Sequence, residues 1–288
     1  CRAIGLVIGN LPHCLEMVVR SQSHQPLATH HFCSSVAILS HAPAPTNWGI
    51  SCYNVAMFRA ARLTLIFAVL FAFFLIAPAF LNQPFGPYPL LRVGNILDLL
   101  TPLVLIPVYW LLFQVAPDRR ITDRETLVFL VLAGLWVMGH SLHLAANAIG
   151  HLNEGLAGDA PALTHFLDED LSHTIWLLGI LGLAALILYR QWRHPFAEPR
   201  QGNGLVLAAA AIHGFNYFLS IVEAGTNGLG IGFAVTVVVF GLLQRRELGQ
   251  RPITRFFVFA YAISLVFFLA WGLYWGGLPE FSQVGLLN

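Results

Sequence analysis

The sequence predicts an all-α fold, a polytopic bundle of seven transmembrane helices with its N-terminus inside and its C-terminus outside. Three observations carry that expectation. Of the 288 residues, 57% are hydrophobic and 10% charged, and the mean hydropathy is +0.70, a composition outside the range of soluble domains. Seven apolar runs reach or approach the about 20 residues that a helix needs to cross a bilayer. Arginines gather at every second connection between these runs, the pattern expected when positive charge is retained on the cytoplasmic side.

Residues 1–56 read differently from the rest, holding all four cysteines and five of the twelve histidines without a sustained helical or strand period. They are expected to be a poorly ordered or non-native N-terminal extension, followed by a transmembrane domain over residues 57–288. Met57-Phe58-Arg59-Ala60-Ala61-Arg62 is a short basic lead into the first apolar run, a common start for a bacterial membrane protein. The runs are Leu63–Leu81, Ile96–Val115, Leu127–Ile149, His173–Tyr189, Leu205–Val222, Leu229–Leu243 and Phe256–Trp275. The sixth is short and glycine-rich, and its Val237-Val238-Val239-Phe240 stretch retains it as a span.

Arg59 and Arg62 precede the first span, and Arg119, Arg120 and Arg124 join the second to the third. Arg190, Arg193 and Arg200 join the fourth to the fifth, and Arg245, Arg246, Arg251 and Arg255 join the sixth to the seventh. The alternate loops contain Arg92 alone, so twelve arginines oppose one. That asymmetry sets the orientation and supports the count of seven.

Composition also excludes several functions. All 15 basic residues are arginine and the net charge is +1, so neither a polybasic nucleic-acid surface nor a lysine Schiff base is available. Beyond residue 56 the chain has no thiol, which excludes a cysteine nucleophile, a thiolate metal site or a disulfide framework in the membrane domain. The lysine-free composition fits a GC-rich bacterial genome, and the expected location is the bacterial inner membrane.

Polar residues inside the spans point to chemistry. At 100° per residue, His140, His143, Asn147 and His151 fall within a sector of roughly 80° on the third span. His213, Asn216, Ser220 and Glu223 form a second stripe on the fifth span. In the segment HFLDEDLSH, Glu169 and Asp170 stand four and three residues before His173, on its side of a helix. Counting 1.5 Å per residue from the arginine end places His140, His143, His173, Ser220 and Glu223 at about 22 to 28 Å and His213 at about 14 Å. Asp98, near the outer start of the second span, is a candidate to join them.

Each ionisable group costs about 2.5 to 3.5 kcal/mol at the centre of a membrane helix, so several at one depth need mutual compensation, which a bound metal supplies. Imidazoles with carboxylates and no thiolate suit a divalent transition metal, zinc first and iron or copper as alternatives. The expected metal ligands are drawn from His140, His143, His173, His213 and Glu223, with Glu169 or Asp170 as general base or as partners that fix an imidazole tautomer. No HExxH spacing is present. The expected function is metal-dependent hydrolysis of a lipid-like substrate drawn from the membrane lipid. Three alternatives stay open: a transporter for a metal ion or proton, a haem protein with His140 and His213 as axial ligands, and a purely structural role in which the histidines are interhelical hydrogen-bond partners.

Ser141-Leu142-His143-Leu144-Ala145-Ala146 on one helix and Leu167-Asp168-Glu169 opening the next resemble the superfamily of alkaline ceramidases and adiponectin-type receptors. The resemblance covers about 35 residues. It implies a seven-helix hydrolase in which Ser, His and Asp on adjacent helices, with a later His-x-x-x-His, bind zinc for amide hydrolysis of lipids. Carried residue by residue, it reaches His143 and Asp168, so that Asp168 joins Glu169 and Asp170 among the candidate catalytic carboxylates. Ser141 stands two residues from His143 where the family has four. The last span has no histidine, and His213-x-x-Asn216 is the nearest substitute for the later pair.

Overall fold

The computed structural model describes residues 47–115, 120–152, 155–196 and 203–286. The chain divides into two units, residues 1–52 and 53–288. Most of the first, and with it most of the expected N-terminal extension, lies outside the described residues. Helix α1 spans Asn47–Ile76 and runs into a single 3-10 turn, Ala77–Phe80. A two-stranded antiparallel hairpin follows, β1 (Pro84–Phe85) and β2 (Tyr88–Arg92). Then come α2 (Val93–Leu99), α3 (Thr101–Gln114), α4 (Asp123–Leu152), α5 (Asp159–His165), α6 (His173–Arg193), α7 (Asn203–Glu223), α8 (Asn227–Leu243) and α9 (Pro252–Trp275).

Among the described residues, six stretches are helical, long and apolar enough to cross a membrane: Phe58–Phe80, Val93–Gln114, Asp123–Leu152, Asp159–Arg193, Gly204–Glu223 and Pro252–Trp275. Helix α8, where a sixth span is expected, has 17 residues, about 25 Å at 1.5 Å per residue and the lower limit for a crossing. Leu103, Leu130, Val266, Leu269 and Leu273 stand exposed on the helices, an arrangement that water disfavours and lipid does not. The architecture is that of an all-α, multi-pass membrane protein.

Local sequence explains the helix ends. At α4, Thr122 Oγ1 accepts the Glu125 N–H at 3.2 Å while Glu125 Oε2 accepts the Thr122 N–H at 2.9 Å, a reciprocal pair that satisfies two otherwise orphaned donors. Pro252 opens α9, where no backbone donor is needed, and Gly276 closes it at φ 69°, the left-handed conformation that glycine adopts without strain.

Two helix pairs organise the bundle, α4 on α6 and α7 on α9, with α8 also against α9. The first pair touches backbone to backbone. A Cβ at Gly139 would lie 2.4 Å from Trp176 N, and one at Gly179 would lie 2.5 Å from Trp136 N. Each helix therefore offers a bare position to the other's tryptophan-bearing turn, the close approach that small residues permit in membrane bundles. Between α5 and α6 the chain widens into a π-helical turn, Phe166–Ser172. Its extra residue per turn, often a mark of functional sites, sets how Asp168 and Glu169 face α4.

Candidate functional site

A cavity of about 650 Å³ opens at the end of the bundle opposite the arginine-rich connections. Its polar wall is supplied by α2 (Asp98), α4 (His140, His143, Asn147), the π-helical turn (Glu169), α6 (His173), α7 (Ser220, Glu223) and the segment after α9 (Glu280). Arg92, from the β-hairpin, also lines it.

The helical stripe on α4 accounts for the first contacts. His140 is buried and donates Nε2–H to the Asp98 carbonyl at 2.8 Å, with Asp98 Oδ1 3.3 Å away. Because a carbonyl can only accept, the proton resides on Nε2 and the lone pair on Nδ1. One turn on, His143 Nδ1 stands 2.7 Å from Asp168 Oδ1, an ion-pair contact without aligned hydrogen-bond geometry. Asn147 donates to the other oxygen of Asp168 at 3.5 Å, and the Ser172 hydroxyl donates to its carbonyl. Asp168 is itself buried, set behind His143 rather than in the cavity wall.

His173 opens α6 and donates Nδ1–H to the Ala224 carbonyl at 3.2 Å, with Glu169 Oε2 at 3.5 Å from the same nitrogen. Its ring centre lies 4.8 Å from that of His143. Both imidazoles thus meet oxygen at Nδ1. Trp176 packs against His140 and His173, at 6.0 and 5.6 Å between ring centres, and fixes the plane of each. Two imidazoles oriented by oxygen partners are the arrangement in which histidine serves as a base or a ligand.

The C-terminal segment closes one side. Glu223 Oε2 accepts the Phe281 N–H at 2.9 Å, the Trp271 indole donates to the Pro279 carbonyl at 2.9 Å, and the Asn227 amide donates to the Leu278 carbonyl at 3.3 Å. Glu280 beside it is pushed above the ordinary carboxylate range by burial and then by the charge of Glu223.

The candidate ligands are not all brought together. His140, His143, His173 and Glu223 line the one cavity, with Glu169 among them. His213 does not; its ring is buried among Phe67, Phe71 and Phe256, with centres 5.1, 4.8 and 5.4 Å away. His140 and His213 therefore present no shared face. Asp170 is exposed and does not line the cavity. Among the described residues, no three His, Cys, Asp or Glu side chains are arranged so as to hold a metal ion. Sequence pattern marks Arg92 only as the lone arginine of the alternate loops and does not mark Glu280 as a site residue. A faint signal existed for Glu280, the one charged residue after the last span.

No protein-family model matches the chain, and neither the curated proteins nor the solved structures compared with it give a match.

Proposed function

We propose that the cavity is the catalytic chamber of a metal-dependent hydrolase acting on an ester or amide bond of a lipid-like substrate at the outer face of a bacterial inner membrane. In this reading α8 also crosses, as the sixth of seven spans, the arginine-rich end is cytoplasmic, and the C-terminus is outside. The observation that carries it is the His143 and His173 pair, two imidazoles 4.8 Å apart from different helices, each meeting oxygen at Nδ1.

The donor types, though not gathered as a three-ligand group among the described residues, suit a divalent transition metal. Neutral imidazoles beside carboxylates, without thiolate, are the chemistry that zinc and ferrous iron take. His143 and His173 would hold the ion, with Glu169 or Glu223 adding an oxygen. Such an ion, when bound, supplies Lewis acidity. The protein's own groups divide the remaining work. Asp168 fixes the tautomer of His143, and Ala224 does so for His173. Glu169, half-exposed in the cavity wall, is placed to take a proton from water.

The test is elemental analysis of the purified, detergent-solubilised protein. About one equivalent of zinc or iron is expected, lost in His143→Ala and His173→Ala; wild-type protein devoid of stoichiometric transition metal would refute the proposal.

A second reading, passage of a proton or metal ion, draws on one observation. Ser220, Asn216 and His213 descend one face of α7 from the cavity, and the fully buried Asn216 amide has no hydrogen-bond partner among the described residues. Zinc uptake into protein-containing liposomes, without turnover of any lipid, would favour it.

A further inference from the structure

A second cavity, of about 360 Å³, lies at the arginine-bearing end of the bundle, between the start of α4 and the end of α6. Thr122, Arg124, Glu125, Tyr189, Arg193 and His194 contribute its polar groups. Its one carboxylate is already committed. Glu125 Oε1 accepts from the buried Arg190 guanidinium at 3.0 Å, while Oε2 accepts the Thr122 N–H at 2.9 Å and the Thr122 hydroxyl at 3.0 Å. Arg190 cancels the charge of Glu125, so the charge left facing the cavity is that of Arg124 and Arg193. Both are exposed, and among the described residues neither guanidinium has a carboxylate partner.

The surroundings say what kind of anion this is. Leu127 and Val128 follow Arg124 on α4, and Tyr189 and Trp192 precede Arg193 on α6; all four are exposed. An apolar and aromatic surface directly beside a doubly cationic recess is the setting of a lipid headgroup at the membrane interface, with its acyl chains along the helices. A free phosphate would gain nothing from that surface.

We infer that this recess binds the phosphate of an anionic phospholipid, with Arg124 and Arg193 as the recognising groups. The site is separate from the cavity on the opposite face and stands whether or not that cavity is catalytic. Guanidinium forks match phosphate oxygens in pairs, and the two helices that hold them are the ones whose far ends carry His143 and His173. A lipid bridging Arg124 to Arg193 therefore clamps the α4 and α6 pair.

The experiment is native mass spectrometry of the full-length protein in detergent, titrated with phosphatidylglycerol, with phosphatidylcholine of the same acyl chains, and with inorganic phosphate. Preferential retention of phosphatidylglycerol is expected. Arg124→Gln with Arg193→Gln should weaken it about 30-fold, from about a factor of five per surface cation, while Arg246→Gln, an exposed arginine at the same end, stays near wild type. The double lysine variant should recover part of the binding, since an ammonium keeps the point charge but not the paired fork, and that recovery separates lost charge from lost fold. Equal retention of the two lipids, equal losses in the glutamine and lysine variants, or displacement of the lipid by inorganic phosphate alone would overturn the inference.

Discussion

Asp168 Oδ1 lies 2.7 Å from His143 Nδ1, across the gap between the π-helical turn and α4. The pair orients an imidazole whose other nitrogen remains for the cavity. Replacing the carboxylate by an amide keeps the shape and removes the charge that holds the proton on Nδ1. Asp168→Asn is therefore expected to lower metal affinity about 10- to 100-fold, read by competition with a chromophoric chelator. Unchanged affinity would show that the pair is only structural.

His213 makes the opposite prediction. It is enclosed by aromatic rings, and its Nδ1 is buried without a hydrogen-bond partner among the described residues. Exchanging a buried unsatisfied group for an apolar ring of similar shape is close to neutral. His213→Phe should retain metal content and fold stability to within about 1.5 kcal/mol. Loss of metal in this variant would place His213 in the coordination sphere against the geometry described above.

The α4 and α6 contact offers a test of how the site is held. Any side chain at Gly139 meets the backbone of Trp176, and His140 is the next residue. Gly139→Ala is expected to cost about 1 to 3 kcal/mol through overpacking and to separate His143 from His173. Reversible unfolding in mixed detergent reads the first effect and metal content the second; a variant as stable as wild type would show that the two helices are free to slide apart.

Glu280 gives the pH dependence. Its carboxyl is held above the ordinary 4.5, by burial first and the charge of Glu223 second, with Ser282, Gln283 and His165 acting in the other direction. A raised folded value means that the protonated form is favoured in the native state. Its contribution is complete below the ordinary value and is lost as pH rises through the raised one. Amide protection across Glu280–Gly285, corrected for intrinsic exchange, should fall over that interval, and Glu280→Gln should abolish the change. A pH-independent wild type would contradict the assignment.

The membrane helices were legible because hydropathy and arginine placement depend on the chain alone. So was much of the cavity wall, since 3.6-residue periodicity aligned His140, His143 and Asn147 without reference to neighbours. The depth count even separated His213, at about 14 Å, from the group at about 22 to 28 Å, although composition grouped it with the ligands. What periodicity does not carry is partnership between elements. That Asp168 pairs with His143, that Asp98 offers its carbonyl to His140, and that Glu280 returns to Glu223 depend on the π-helical turn and the chain reversal at Gly276. Both are set by packing between distant segments.

The π-helical turn sets the register on which the Asp168–His143 pair depends. Its seven residues, Phe166–Ser172, contain one more than an α-helical path would use, and dropping one would rotate what lies on either side by about 100° relative to the other. Every apolar span would survive such a deletion, and no hydropathy profile would register it. Yet the acid at 168 would swing off its histidine. Loss of a single residue between Thr164 and Thr174 would thus keep the helical scaffold and part the Asp168–His143 pair.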